Sequence, residues 1–281
     1  MKCYLTAVLI LILGGVPAPV LAQSETREAY FSFRGEEFDN KLLVPLGRGT
    51  VRLFQPRPEG LLFRLPAGHK LPALGISPRF QIEGDFEITA AYEVPVWKDP
   101  KAGYGMGPSL YLKLNDETGS AVALGRLLRP GKKHVFSSML SSTVDEKRNY
   151  DVKLYDTSVN SGKLKLVRTG GLLKFLVTED SPNEFRELGQ VELGTADVEL
   201  LRLGAQQSDP ETPVQVLWKD LSIKATGFPN HPDSLAKGKQ LHVPSYHPAP
   251  QPESFSLYWS LAAGIGLVVV IGGVIWVRKR G

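Results

Sequence analysis

The chain has 281 residues, 33 of them basic and 29 acidic, a formal net charge of +4, and one cysteine, Cys3. Cys3 lies in the leader described next, so the mature chain is expected to have no disulfide, no Cys-ligated metal and no Cys nucleophile. Lys2, Arg278, Lys279 and Arg280 supply four of the basic residues, and the rest is balanced at 29 against 29. The basic surplus belongs to the two ends and argues against nucleic acid as a partner.

Residues 1–22 read as a secretory signal. Lys2 is the positive start, Leu5 to Leu13 is an apolar run too short for a bilayer, and Val20-Leu21-Ala22 suits cleavage before Gln23. Residues 23–226 are then expected to form one domain. Short alternating runs recur between Gly, Pro, Asp and Asn turns. In "DFEITAAYEV", Phe86, Ile88, Ala90, Tyr92 and Val94 share one face, while Asp85, Glu87 and Glu93 share the other. In "GPSLYLKLN", Leu110, Leu112 and Leu114 oppose Tyr111 and Lys113. About a dozen such strands, with no sustained helical period before residue 257, predict an all-β, antiparallel two-sheet sandwich.

Four stretches carry side chains that can do chemistry. "EGDFE" sets Glu83, Asp85 and Glu87 at alternate positions, as a retaining glycosidase would set paired carboxyls about 5–5.5 Å apart. Gly84 between them reads as a turn before the strand, which favours solvated acids over a catalytic set. "VPVWKDPKAGYGMG" puts Trp97, Lys98, Asp99 and Tyr104 in a loop after a strand, where an indole stacks on a sugar or a partner protein. "LNDETGS" offers Asn115, Asp116 and Glu117 to calcium, against the plainer reading of an Asn-Asp turn. "RLLRPGKKHVF" clusters Arg126, Arg129, Lys132, Lys133 and His134 at a hairpin tip, a candidate grip for an anionic polysaccharide or headgroup. No nucleotide, hydrolase or zinc-protease motif occurs, and no cofactor is expected.

Further on, Arg168-Thr169-Gly170-Gly171-Leu172-Leu173-Lys174-Phe175, a loop, and Glu184 to Gly189 resemble a hairpin of concanavalin A-like lectin/glucanase domains. "FSFRGEEFDN", "EGLLFRLPAG", "IEGDFEITAAYEV", "AGYGMGPSLYL", "VELGTADVELLRLGA" and "LWKDLSIKA" extend the likeness over roughly Tyr30 to Ala225. Together they resemble an uncharacterised bacterial, planctomycete-type family of secreted domains. That resemblance implies a concanavalin A-like jelly roll and brings no catalytic residues. The residues themselves make Arg168 a structural bridge between sheets, and turn Leu221, Ile223 and Ala225 toward the core.

Residues 227–256 are rich in proline and poor in aliphatics, and read as an extended stalk. His231, His242 and His247 within it read as solvated linker residues. Leu257 to Val277 carry no charge over 21 residues, roughly 32 Å as a helix, and predict one membrane span. Trp259 and Trp276 sit near its ends, and Arg278 to Gly281 form a basic tail that stays in the cytoplasm. Gln251-Pro252-Glu253-Ser254 only partly matches a sorting signal, which favours a permanent anchor. The chain thus reads as a single-pass protein of the cell membrane with its domain outside. The leading function is non-catalytic binding of a glycan or an envelope protein. A tethered glycosidase and a structural protein of the envelope are the alternatives, and the oligomeric state stays open.

Overall fold

The computed structural model describes residues 26–35, 41–47, 50–68, 74–179, 181 and 183–231. The leader over 1–22 and the span over 257–277 lie outside the described residues. Among those described, no helix is long and apolar enough to cross a membrane.

The domain is built of strands. In chain order they are β1 (Arg27–Ser32), β2 (Leu43–Leu46), β3 (Phe54–Arg57), β4 (Gly60–Leu65), β5 (Leu74–Pro78), β6 (Glu83–Glu93), β7 (Met106–Leu114) and β8 (Ala121–Arg129). There follow β9 (Lys133–Val144), β10 (Lys147–Asp156), β11 (Ser161–Thr169), β12 (Leu172–Val177), β13 (Arg186–Glu192), β14 (Val198–Gln207) and β15 (Val214–Gly227). One sheet runs β13-β12-β11-β6-β15-β4-β3, with β1 also paired to β15; this is the eight-stranded sheet. The seven-stranded sheet runs β10-β9-β8-β7-β14-β5-β2. Every ladder between named strands is antiparallel.

The sheets face each other because their strands alternate. On β6, Phe86, Ile88, Ala90 and Tyr92 are buried, while Asp85, Glu87 and Thr89 point away from the core. On β7, Leu110, Leu112 and Leu114 are buried opposite half-buried Tyr111 and Lys113. These inner faces join Leu201 and Leu203 of β14 and Leu221, Ile223 and Ala225 of β15 in one core. Trp218 is completely buried, its ring edge against Tyr92 at 6.2 Å. Each large apolar side chain so placed contributes about 1.5–3 kcal/mol.

Two expectations need correcting. Gly84 is not a turn before β6 but part of it, at φ +68° where β15 skips a residue between Ala225 and Gly227. A side chain there would meet Thr226, and glycine alone adopts this backbone cheaply. The folded unit also continues past residue 226. Phe228 is buried 4.9 Å from Phe80, and Gln81 donates its backbone N–H to the Pro229 carbonyl at 3.0 Å. His231 lies 5.1 Å from Phe80, so it belongs to the domain and not to a solvated linker.

Two arginines enter the interior from the inner faces. Arg168 follows Leu164 and Leu166 on β11 and is 1% exposed. Arg126 follows Val122 and Leu124 on β8 and is 0% exposed. Arg168 stacks on Phe86 of β6. Arg126 sits by the other end of β6, at Tyr92 six residues along: it donates to the Val159 carbonyl, next to Asn160, whose own carbonyl accepts the Val94 N–H. Six residues of strand are about 20 Å, so the two arginines close opposite ends of the sandwich.

Candidate functional site

The outer face of the seven-stranded sheet has a floor of small residues. Leu110 faces the core, so Ser109 faces outward. Its cross-strand neighbours are Gly204 of β14 and Gly125 of β8. Gly204 in turn pairs with Gly75, and Gly125 with Ser137. Gly75, Gly204, Ser109, Gly125 and Ser137 therefore form one row at right angles to five strands. Side chains on the flanking rows stand higher. Tyr111 lies beside the row, and Arg202 stacks on its ring at 4.7 Å. The stem of Arg202 lies over Gly75, where a Cβ would collide with it. The row is thus a shallow trough in the backbone whose five residues are all buried beneath neighbouring side chains, Arg202 over Gly75 and Leu127 beside Gly125 among them, with a cation near one end.

The loop over residues 95–105 closes the other end of the trough. Tyr104 reaches over β9, its hydroxyl 2.6 Å from Ser137 Oγ. Arg129 donates through Nε to the Tyr104 carbonyl at 2.9 Å and lays its guanidinium 5.3 Å from the ring centre. Burial raises the Tyr104 hydroxyl above its ordinary pKa, partly offset by the Ser137 hydrogen bond and Arg129. The loop's ends are fixed by Ser208 and Asp209. Gly105 N–H donates to Ser208 Oγ at 2.7 Å, and Lys101 N–H to Asp209 Oδ2 at 2.8 Å. That Lys101 bond, with those from Thr212 and Glu211, outweighs burial and holds the Asp209 carboxyl below the usual carboxylate range.

Structure therefore brings two separate stretches of sequence together. Asp99 accepts the Lys132 N–H at 3.1 Å, which ties the aromatic loop to the basic hairpin. Lys98, Asp99, Lys132 and Lys133 are exposed around this junction. Arg126 is not part of that surface, since it is the buried arginine at this end. It donates to the carbonyls of Val159 at 2.8 Å and Leu127 at 2.9 Å, and to His134 Nδ1 at 2.8 Å. Burial pulls its pKa down to about 10, partly offset by Tyr92 and Glu179, so it stays charged at neutral pH.

Trp97 is half-buried and wedged into this end, not freely exposed. Arg126 lies 4.8 Å over its ring, His134 meets it edge-on at 5.3 Å, and its Nε1 donates to Asn160 at 2.7 Å. Gly107 leaves room for the indole, because a Cβ there would strike the Arg126 carbonyl and the ring. His134 has a fixed proton arrangement. An arginine can only donate, so Nδ1 must accept and the ring is neutral with its proton on Nε2. Burial and the Arg126 charge lower its pKa, against the smaller pull of Asp99.

The other candidates sit elsewhere. Glu83, Asp85 and Glu87 lie on the outer side of the eight-stranded sheet, across the sandwich from the trough. Asp85 accepts the Gly170 N–H at 2.7 Å, and Glu87 pairs with Lys165 at 2.9 Å. Asp116 accepts from Ser120 N–H at 2.7 Å and Thr118 Oγ1 at 3.2 Å, as an Asx turn does. These bonds and one from Gly119 outweigh burial and lower its pKa. Asn115 and Glu117 are exposed at that turn. Among the described residues, no cluster of three or more His, Cys, Asp or Glu is arranged to hold a metal.

The family described as "Protein of unknown function (DUF1583) C domain" matches residues 17–234. The chain belongs to this family. No curated protein matches it in sequence. Among solved structures, the DUF1583 domain is similar to the GH43 protein BlXynB of Bacillus licheniformis, at 8% identity and a TM-score of 0.51. That likeness covers 70% of this chain and 39% of the other. A glycoside hydrolase family protein of Mycobacterium thermorestibile aligns at 10% identity and a TM-score of 0.50, over 69% of this chain and 99% of that one. A Bacteroides ovatus xyloglucan-locus GH43B aligns at 12% identity and a TM-score of 0.50, over 70% of this chain and 39% of that one. At such identities the likeness is one of fold.

In the DUF1583 domain, the residues that shape the trough escaped the sequence reading. Gly75, Ser109, Gly125, Ser137 and Gly204 look like ordinary turn or strand residues one at a time. A visible signal was present in β7 and β14, where Ser109 and Gly204 fall on the face opposite the leucines.

Proposed function

We propose that this domain is a non-catalytic glycan-binding module, held outside the cell membrane by the C-terminal span. Its fold is a jelly roll of the concanavalin A-like kind, and its ligand is an anionic polysaccharide. The observation that carries the reading is the row Gly75, Gly204, Ser109, Gly125 and Ser137, closed at one end by Tyr104, Arg129 and the lysine-bearing loops. A sugar chain is long, narrow and only weakly apolar. It needs a shallow floor, an aromatic face and hydrogen-bond donors at the walls, and to reach this buried floor it must displace the side chains that lie on it, Arg202 over Gly75 and Tyr104 at Ser137. Arg202 on Tyr111 and Arg129 on Tyr104 supply cations over aromatic rings at both ends. Lys98, Lys132 and Lys133 add charge that attracts acidic groups. Fold likeness to proteins of glycoside hydrolase families gives further support.

A hydrolase would need two carboxyls facing one bound sugar. Glu83, Asp85 and Glu87 point to the opposite side from the trough, and two of them are tied to Gly170 and Lys165. The test is a glycan array with the full chain in detergent, including neutral β-glucans and uronic-acid polymers. The reading expects binding to acidic polymers that weakens with salt, weakens severalfold in Lys132→Glu/Lys133→Glu, and leaves no cleavage products. Binding indifferent to salt and to those substitutions, turnover abolished by Glu87→Gln, or an array without hits would contradict it.

A further inference from the structure

β10 is the last strand of the seven-stranded sheet and pairs only with β9. Its ten residues pair without a register shift from Lys147 to Asp156. No proline or bulge blunts it, although charged residues such as Lys147 and Lys153, which also discourage edge pairing, lie along it. Val152 and Leu154 face the trough side, Leu154 being 39% exposed. On the other side, Asp151 and Lys153 are exposed and make no ion pair or hydrogen bond within the described residues. A free edge of this length with two unmatched opposite charges two residues apart is an unusual combination.

The strand is complementary to itself. Two copies related by a two-fold axis through the sheet keep their trough faces on the same side. Residues directly opposite must then have the same parity. With Val152 opposite its own copy, Asp151 falls opposite Lys153 twice, and Tyr150 falls opposite Leu154 twice. Moving the register by one step in either direction places Asp151 against Asp151 or Lys153 against Lys153. Like charges directly opposite destabilise a strand pair, and opposite charges and apolar pairs stabilise it. Arg148 falls opposite Asp156 in the favoured register, although its guanidinium already donates to Gly119 O at 2.6 Å and Ser141 Oγ at 2.8 Å. Lys153 thus selects one register instead of only blocking the edge.

We propose that β10 is a docking edge for a second copy of this chain, which joins the two seven-stranded sheets into one continuous sheet. The two troughs then lie side by side on one face. The interaction does not depend on the ligand, so it stands or falls separately from the glycan reading.

Sedimentation of the full chain in detergent, over a wide concentration range, tests this. The wild type should reach a dimer. Asp151→Lys and Lys153→Asp should each weaken it about tenfold, because each places two like-charged pairs across the axis. Both positions are exposed, so folding should be unaffected, and circular dichroism checks this. The combined Asp151→Lys/Lys153→Asp chain restores opposite charges and should recover the wild-type constant within about threefold. A monomer at every concentration would overturn the proposal. So would a dimer that survives both single changes, or a combined variant that stays as weak as the single ones.

Discussion

The two ends of the sandwich are closed by the same side chain in different settings. At the Arg168 end, the guanidinium bonds backbone. It donates to the carbonyls of Ala196 at 2.6 Å, Gly194 at 3.5 Å and Gly84. Burial lowers its pKa, offset in part by Asp197 and Asp85. At the Arg126 end, two backbone carbonyls, of Val159 and Leu127, are joined by side chains that complete the closure, Trp97, His134 and the Asn160 that anchors the indole. Of the Arg168 partners, Gly84 belongs to β6, while Gly194 and Ala196 hold the loop between β13 and β14 in place. Side-chain partners on a loop can shift, titrate and touch a ligand. With that difference, the proposed recognition falls to the Arg126 end and the Arg168 end serves stability.

The largest expected effect breaks the first end. Arg168→Met removes the donor to three partly buried hydrogen bonds and the guanidinium stacked on Phe86, and should cost about 3–5 kcal/mol. Arg126→Met should cost less, about 1–3 kcal/mol, because it frees two carbonyls, of Val159 and Leu127, and not three, and the neighbouring Trp97 and His134 are only half-buried. Urea unfolding of the two variants gives the order directly. Equal losses would mean that both ends are plain structural plugs.

Next is Trp97→Ala. Removing the indole from Arg126 and Gly107 should destabilise the domain by about 1–3 kcal/mol, and the loop that carries Tyr104 should loosen. Binding should fall about fivefold or more even where the domain is fully folded. Thermal melting and titration on the same sample separate the two effects. A variant that melts earlier but binds as before would limit Trp97 to packing.

Acid should also separate the ends. The folded-state pKa of His134 lies below its ordinary value, so the unfolded chain takes up a proton first as pH falls. This contribution to stability is fully present above the ordinary pKa of about 6.5. It is lost as pH falls from there through the lower folded value. Protonation also removes the acceptor for Arg126 and places a second cation beside it. Hydrogen exchange between pH 7.5 and 5.5 should rise in residues 95–105 and 130–134 and stay level around Gly170. His134→Gln, which cannot titrate, should flatten the response, and an unchanged profile in that variant would exclude this histidine.

The smallest effect concerns the acids on the far side. Glu83→Gln and Glu87→Gln should each change stability by less than about 1 kcal/mol, since the Glu87–Lys165 pair is partly exposed and Glu83 is at the surface. Neither should alter glycan binding. A severalfold loss of binding in either variant would move the site to the eight-stranded sheet.

Much of the architecture was legible because strand alternation is local. The inward row Phe86, Ile88, Ala90 and Tyr92, the leucines of β7, the final core run from Leu221 to Ala225 and the need of Arg168 for partners all follow from period two and from what burial demands of an arginine, although those partners lie in its own sheet and the loop between β13 and β14. Arg126 was misread as surface because it follows "AVALG", where both faces carry small or apolar residues and the alternation gives no direction. The trough depends on five residues far apart in the chain that meet only through register. The junction of Asp99 with Lys132 likewise joins two loops that no local pattern connects. His231 was misplaced because proline-rich composition hides its aromatic contacts with Phe80 and Phe228.

The central claim is that recognition belongs to the Arg126 end and the trough beside it. Hydrogen–deuterium exchange of the full chain with and without a uronic-acid oligosaccharide tests it most directly. The account predicts slower exchange in residues 95–105, in 130–137 and around Ser109 and Gly204, with no change around Gly84 and Gly170. Protection confined to β6 and the Gly170 hairpin, or none in the trough when the oligosaccharide is bound, would contradict it.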